Sequence, residues 1–234
     1  MSFAAVILFG LLILFVVVIG LRLERKRRAA LQQLAQDLGW RYDGATDSSL
    51  HSRYAHPLFN RGHSRKGYHL IRGVYEVGDL RLDAVMGDYR YTTGSGKNQT
   101  THRQSIILLS LPYQPVPGLD IRREWLGDKL MSALGFDDID FESEEFSRKF
   151  YVSSTDKQFA YAVIHPRMIE FLLQTTPPRL ELRNGVCLLY EQGSHWSADE
   201  FRKQLAWAHQ FLDLWPVKLL AELNLLLHPE RISA

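Results

Sequence analysis

Cysteine is nearly absent from this chain, since Cys187 is the only one among 234 residues. One thiol cannot close an internal disulfide, which excludes a small disulfide-stapled fold and agrees with a domain on the cytoplasmic side of a membrane. Cys187 lies in the apolar run 186–189. We expect a buried apolar side chain there rather than a nucleophile, because thiol reactivity needs an exposed, cationic setting.

Motifs that name a reaction are also lacking. The nine histidines show no HxH or HExxH spacing, so they define no set of metal ligands. The acidic run 137–145 lacks the turn glycine of a calcium loop, and Gly94-Ser95-Gly96-Lys97 lacks the glycine spacing and the following hydroxyl of a phosphate loop. We therefore expect no metal, no cofactor and no catalytic residue, and we interpret Gly94 and Gly96 as part of a hairpin tip.

Net charge is small and unevenly placed. The formal net charge of the chain is +2. Residues 22–28 hold five basic side chains against one Glu24, so this segment supplies more than the whole positive charge and the rest of the chain is mildly acidic. A mildly acidic domain argues against a nucleic-acid partner.

One long apolar run is present at the N-terminus. Residues 3–21 contain no charged side chain, and at the helical rise they span roughly 30 Å, the thickness of a bilayer's hydrocarbon core. A cleaved secretory signal is the alternative, but its basic start and its small-residue cleavage site are missing. The run therefore predicts a retained signal-anchor, with a transmembrane helix over residues 1–22.

Basic residues follow this run directly. They are Arg22, Arg25, Lys26, Arg27 and Arg28. Basic residues beside a span stay in the cytoplasm, so we expect a single-pass protein whose C-terminal domain is cytoplasmic. These side chains would lie among lipid headgroups, where each can contribute about 1 kcal/mol to the binding of anionic lipid.

A basic, amphipathic juxtamembrane helix is expected over residues 23–39. Leu31, Leu34, Ala35 and Leu38 recur at helical spacing, and Gly39 stands where a left-handed C-terminal cap belongs. The anchor helix should therefore continue out of the membrane and end there. Its apolar stripe can dock on the soluble domain, which we expect to be one unit over residues 40–234.

The remaining chain predicts an α+β domain with an antiparallel meander sheet backed by C-terminal helices. Apolar residues alternate with period two from residue 68 to residue 111. Gly78-Asp79 and Asn184-Gly185 have the composition of two-residue hairpin turns. Thr155 and Ser197 each precede a Gln or Glu by three residues, which predicts two capped helix starts.

A locally basic strip lies between the juxtamembrane helix and the predicted sheet. Its basic residues are Arg53, Arg61, His63, Arg65 and Lys66. Aromatic side chains at positions 54, 59 and 68 are interleaved with them. The strip predicts contacts with lipid headgroups or phosphate, and the alternative is a solvated loop beside the membrane.

A set of residues in the later half has a characteristic spacing. It comprises Glu145-Phe146, Phe150-Tyr151-Val152, Ser154, Asp156, Ala160 and Pro166-Arg167-Met168. This spacing resembles an uncharacterised bacterial family of membrane-anchored domains of unknown function, over about residues 40–216. The resemblance implies a bacterial source, and hence the inner membrane, together with an anchor-plus-domain layout. It implies no activity.

These observations predict a single-pass membrane protein with a cytoplasmic, non-catalytic binding or scaffolding domain. The expected partners are membrane lipid, through the anchor, and an unidentified membrane or cytoplasmic protein. Ten tyrosines and five tryptophans favour a binding surface. The alternatives are a lipid-headgroup-binding module and a hydrolase that would use Asp156 and His165, or the acidic run 137–145 with a metal.

Overall fold

The computed structural model describes residues 3–111, 116–123 and 139–223. These residues form a long N-terminal helix and an α+β domain. The helices are α1 (Phe3–Asp37), α2 (Leu50–Arg53), α3 (Glu144–Lys149), α4 (Lys157–Val163), α5 (Pro166–Gln174), α6 (Ala198–Asp213) and α7 (Val217–Glu222). The strands are β1 (Arg41–Asp43), β2 (His63–Val77), β3 (Leu80–Thr93), β4 (Thr100–Ser110), β5 (Leu119–Arg123), β6 (Phe150–Ser154), β7 (Arg179–Arg183) and β8 (Val186–Tyr190).

The described strands form one sheet in the order β1-β2-β3-β4-β8-β7-β5-β6. All of its strand pairs are antiparallel. Strands β2, β3 and β4 follow one another as a meander, and the β7–β8 hairpin joins them to the edge formed by β5 and β6. The predicted fold class, an antiparallel meander sheet with C-terminal helices, is confirmed.

Each face of the sheet has its own apolar core. Ile107 and Leu109 of β4 face a large core that includes side chains of α1, α4, α5 and α6. Ile106 and Leu108, which alternate with them, face a smaller core built with the segment 50–59. Both faces of the central strands are thus covered, which explains the near-continuous apolar run 106–109 in the sequence.

Tight turns lie where the sequence predicts them. Val77 pairs with Leu80 across Gly78-Asp79, and Arg183 pairs with Val186 across Asn184-Gly185. Asn184 and Gly185 both have positive φ, 50° and 70°, as a type I′ turn requires. These two hairpin predictions are confirmed.

One of the two predicted helix caps is wrong. Ser197 forms the predicted capping box with Glu200 at the start of α6. At the start of α4, however, the capping residue is Asp156, whose side chain accepts hydrogen bonds from the backbone N–H groups of Gln158 and Phe159. The Thr155 hydroxyl is used elsewhere, because it accepts a hydrogen bond from the Gly118 N–H.

Helix α1 is continuous from the apolar run into the domain, as the sequence predicts. Its side chains from Ile7 to Leu21 are exposed, whereas Leu31, Leu34 and Ala35 are buried against the domain. The helix ends at Asp37, and Gly39 has a positive φ of 67°. The described chain thus contains one helix that is long and apolar enough to cross a membrane, and the C-terminal part of that helix is packed on the folded domain.

Candidate functional site

A polar cluster joins α1 to the sheet just beyond the apolar run. Arg27 donates two hydrogen bonds to the carboxylate of Asp88 on β3, from Nε to Oδ2 at 2.7 Å and from Nη2 to Oδ1 at 2.5 Å. This is the planar, two-point arrangement in which guanidinium and carboxylate groups match best. The Asp88 side chain is 0 % exposed and that of Arg27 is 23 % exposed, so the pair is largely withdrawn from water.

Hydrogen bonds from other elements complete the surroundings of Asp88. The Ser105 hydroxyl of β4 donates to Asp88 Oδ1 at 2.8 Å, and that hydroxyl accepts a bond from the Trp196 N–H at 2.9 Å. Arg27 Nη1 donates to the Trp196 carbonyl at 3.1 Å. One carboxylate therefore ties together α1, two strands and the loop that precedes α6.

The pKa of Asp88 lies below its ordinary value. Burial alone would raise the pKa of this carboxyl, but hydrogen bonds from His195, Arg27 and Ser105 and the charge of Arg27 outweigh that effect. Asp88 is therefore ionised at neutral pH. Its charge is paired with that of Arg27 on α1. A second nitrogen, Nδ1 of His195, lies 3.5 Å from Asp88 Oδ1.

A second contact lies one helical turn closer to the apolar run. Glu24 Oε1 is 2.8 Å from Nε2 of His69, and Nδ1 of His69 is 2.7 Å from the Tyr42 hydroxyl. His69 sits in an irregular part of β2, between the paired residues Tyr68 and Ile71, with a positive φ of 52°. Gly87 on β3 permits this bulge, since a Cβ there would lie 2.7 Å from the His69 carbonyl oxygen.

The structure separates Arg27 from the other basic residues that follow the apolar run. Arg22, Arg25, Lys26 and Arg28 are exposed, while Arg27 turns inward to Asp88. Positions 24, 27, 31, 34 and 38 share the 3–4 spacing of one helix face. Glu24 and Arg27 continue the apolar stripe toward the N-terminus by the same spacing. Because both residues are charged, an apolar pattern alone does not place them on the docking face.

The residues of the basic strip lie on several elements and have different partners. Arg53 on α2 lies 3.7 Å from Asp47, which also binds Arg72. Arg65 donates to the Phe59 carbonyl at 3.1 Å. Exposed His63 contacts the carbonyl of Gly94 at the hairpin tip, at 3.1 Å. Arg61 is exposed after the 3₁₀ turn Pro57–Asn60, and Lys66 is half-buried on β2.

A second polar cluster is buried on the sheet face opposite α1. Arg179 donates to Asp120 Oδ2 at 2.7 Å and also approaches Glu181 at 2.8 Å. The Tyr190 hydroxyl donates to Glu181 Oε1 at 2.6 Å, and His56 Nε2 lies 3.4 Å from Glu181 Oε2. His56, Asp120, Glu181 and Tyr190 are all buried. This set has the side chains of an acid–base site, but its members are turned toward one another.

Burial governs the protonation of this second cluster. It lowers the pKa of His56 to about 4, although the Glu181 carboxylate raises it, so His56 is uncharged at neutral pH and its contact with Glu181 is not an ion pair. Burial also raises the pKa of Asp120, against the lowering effect of Arg179. Cys187 lies in the larger core on the other sheet face. Burial raises its pKa to about 12, which keeps the thiol protonated at neutral pH.

The residues suggested for a hydrolase have structural partners. Asp156 caps α4, and His165 Nε2 lies 2.9 Å from the Leu214 carbonyl oxygen. Residues 137 and 138 of the acidic run lie outside the described residues, while Glu145 forms an exposed pair with Lys149 at 2.6 Å. Across the described ranges, no group of three or more His, Cys, Asp or Glu side chains is arranged to hold a metal ion.

Comparisons with known proteins give one structural likeness. No family model matches the chain, and no curated protein matches it. The crystal structure of the mycobacterial trehalose monomycolate transport factor A, TtfA, is similar with a TM-score of 0.50 and 13 % sequence identity. The similarity covers 82 % of this chain and 97 % of that one, and at this identity it describes the fold.

Removal of the Arg27 charge should destabilise the protein. In Arg27→Gln the buried Asp88 loses its cation, and we expect a loss of about 3 kcal/mol in the free energy of unfolding. Denaturant titration of the full-length protein in a non-ionic detergent measures this loss. Lys26→Gln, at an exposed neighbouring position, is the matched control and should change stability by less than about 0.5 kcal/mol. Equal effects of the two substitutions would contradict the buried-pair interpretation.

Acid should weaken the fold through His56. The folded pKa of about 4 lies below the ordinary value of about 6.5, so the unfolded chain binds a proton that the folded chain excludes between these pH values. Stability should therefore fall as pH drops from about 6.5 to about 4, by up to about 3 kcal/mol.

The comparison of His56→Asn with wild type isolates this effect. Asparagine can still accept the hydrogen bond that the His56 ring receives from the Leu58 N–H at 3.2 Å, but it does not titrate. Unfolding free energies measured from pH 7 to pH 4 should fall less steeply in His56→Asn, and the exposed-site variant His51→Asn should retain the wild-type slope. An unchanged slope in His56→Asn would show that another group controls acid sensitivity.

Proposed function

We propose that this protein is a single-pass, membrane-anchored binding module without catalytic activity, and that it serves a transport-associated assembly at the bacterial inner membrane. The observation that carries this proposal is the continuity of α1. Its exposed apolar part suits lipid, and the next four turns are packed and ion-paired on the domain. The membrane segment and the binding domain therefore form one mechanical unit.

The proposed orientation places the domain in the cytoplasm. Arg22, Arg25, Lys26 and Arg28 remain exposed where α1 leaves the apolar run, and basic residues beside a span favour the cytoplasmic side. The pairing of Arg27 with Asp88 leaves four of the five basic side chains after the apolar run exposed. The excess of positive charge on this side of the run therefore persists. The buried, reduced state expected of Cys187 agrees with this side of the membrane.

The proposed partner is a membrane protein. The structural neighbour is named a trehalose monomycolate transport factor, which supports a role beside a transport system without naming a substrate for this chain. A domain fixed to its own anchor is suited to such a role, because it is held at one height and one orientation above the bilayer. Binding then costs less rotational and translational freedom.

The proposal of a non-catalytic domain is supported by the way its titratable groups are used. Asp156 caps a helix, Asp88 holds α1, and the cluster around Glu181 is buried and internally paired. General acid–base chemistry needs a group within hydrogen-bond reach of a substrate proton. Headgroup binding is the second candidate function, because Lys66, Arg90 and Arg103 are paired across three neighbouring strands on the sheet face that carries α1.

In-cell crosslinking followed by purification of the full-length protein tests the partner proposal. We expect one membrane protein to be captured by the wild type and also by a variant in which residues 3–21 are replaced by an unrelated apolar span. The Asp88→Asn variant should capture it less, because α1 then loses its fixed register on the domain. A capture profile identical to that of an unrelated anchored protein with the same tag would contradict a binding role.

A further inference from the structure

Three cations stand side by side on the sheet face that carries α1. Lys66 of β2 pairs with Arg90 of β3, and Arg90 pairs with Arg103 of β4. Directly paired residues point to the same face, with Cβ atoms about 5 Å apart. These three side chains, called the basic row below, therefore form a continuous positive band across three strands.

The basic row has no acidic partner within the described ranges. Lys66, Arg90 and Arg103 form no ion pair with any Asp or Glu of residues 3–111, 116–123 or 139–223. The adjacent carboxylate, Asp88, is already occupied by Arg27. Like charges placed directly opposite on neighbouring strands are destabilising. An external anion is the natural complement of such a band.

The basic row lies toward the membrane end of the domain. Helix α1 runs alongside β2, because Glu24 contacts His69 and the Trp40 ring, just past the end of the helix, lies over Gly73. The direction from Gly73 to His69 thus leads back along α1 toward the apolar run. Lys66 continues β2 in that direction, and Arg90 and Arg103 are its neighbours.

The height of the basic row can be estimated from Asp88. Arg90 is two residues along β3 from Asp88, which is about 7 Å at the strand rise. The same distance along α1 is about five residues at the helical rise. With α1 taken as parallel to β3, this count from Arg27 reaches about Arg22, where the apolar run ends.

We propose that Lys66, Arg90 and Arg103 bind the phosphate groups of anionic phospholipids in the membrane that holds α1. Exposed Arg22 lies at about the level of the basic row, and exposed Arg25 and Lys26 follow within about one helical turn, so the helix and the sheet together present one cationic surface to the headgroups. Arginine matches phosphate with two parallel hydrogen bonds. This inference rests on the membrane anchoring proposed above but not on any protein partner, and it adds a second attachment that would hold the sheet at the bilayer.

Spin-labelled lipid binding to the full-length protein tests the proposal. The protein is reconstituted in phosphatidylcholine bilayers, and electron paramagnetic resonance compares spin-labelled phosphatidylglycerol with spin-labelled phosphatidylcholine at low ionic strength. We expect wild type to select the anionic lipid. The Lys66→Gln/Arg90→Gln/Arg103→Gln variant should lose at least fivefold of that selectivity, since one cation near the surface contributes roughly fivefold.

A triple variant with the same charge change is the control. Arg81→Gln/Arg148→Gln/Lys203→Gln alters exposed basic residues outside the basic row and should keep wild-type selectivity. Thermal unfolding should show that the basic-row variant is at least as stable as wild type, because facing like charges are removed. Equal selectivity in the basic-row variant and wild type would overturn the proposal.

Inorganic phosphate separates a lipid site from a site for a free anion. At constant ionic strength, millimolar phosphate should leave the lipid selectivity unchanged. Loss of selectivity on addition of phosphate would overturn the lipid assignment. The two proposals can fail separately. If no partner is captured but the wild type still selects anionic lipid through the basic row, only the binding-module proposal is overturned.

Discussion

The buried ion pair of Arg27 and Asp88 is the interaction that fixes how the long helix α1 sits on the domain. A buried pair of this kind adds little net stability relative to apolar residues, because desolvation of both charges offsets their attraction. Its effect is on specificity. If α1 slid or rotated by one residue, Asp88 would remain charged, buried and without its cation, at a cost of several kcal/mol. The pair therefore selects one register of the helix on the sheet, and Leu31 and Leu34 supply the apolar contact beneath it.

This register has consequences for both surfaces of the domain. Helix α1 packs on one sheet face together with α4, α5 and α6, and the opposite face packs the segment 50–59 and buries the polar cluster around Glu181. Because α1 also carries the apolar run that we propose crosses the membrane, its position on the sheet determines which end of the strands would approach the bilayer. The start of β2, the end of β3 and the start of β4 lie at that end. Strand pairing places their cations, Lys66, Arg90 and Arg103, beside one another there.

Local patterns in the sequence predict most of the helices and turns. They do not predict contacts between residues that are far apart in the chain. The apolar run, the Asn184-Gly185 turn and the Ser197 capping box each depend on a few neighbouring residues. Arg27 and Asp88 are 61 positions apart, and in the sequence Arg27 is one of five similar basic residues. The basic strip was defined by closeness along the chain, whereas the basic row is defined by closeness across strands. Only Lys66 belongs to both.

The distance between α1 and the domain in a lipid bilayer tests the central claim most directly. Spin labels at Ala30→Cys on α1 and Arg148→Cys on α3 occupy exposed positions, and the native Cys187 is buried and so is protected from labelling. Double electron–electron resonance in nanodiscs should give one narrow distance distribution, and the added substitution Asp88→Asn should broaden it. A distribution that is equally broad with and without Asp88 would show that α1 and the domain move independently, which would contradict the account of a single mechanical unit.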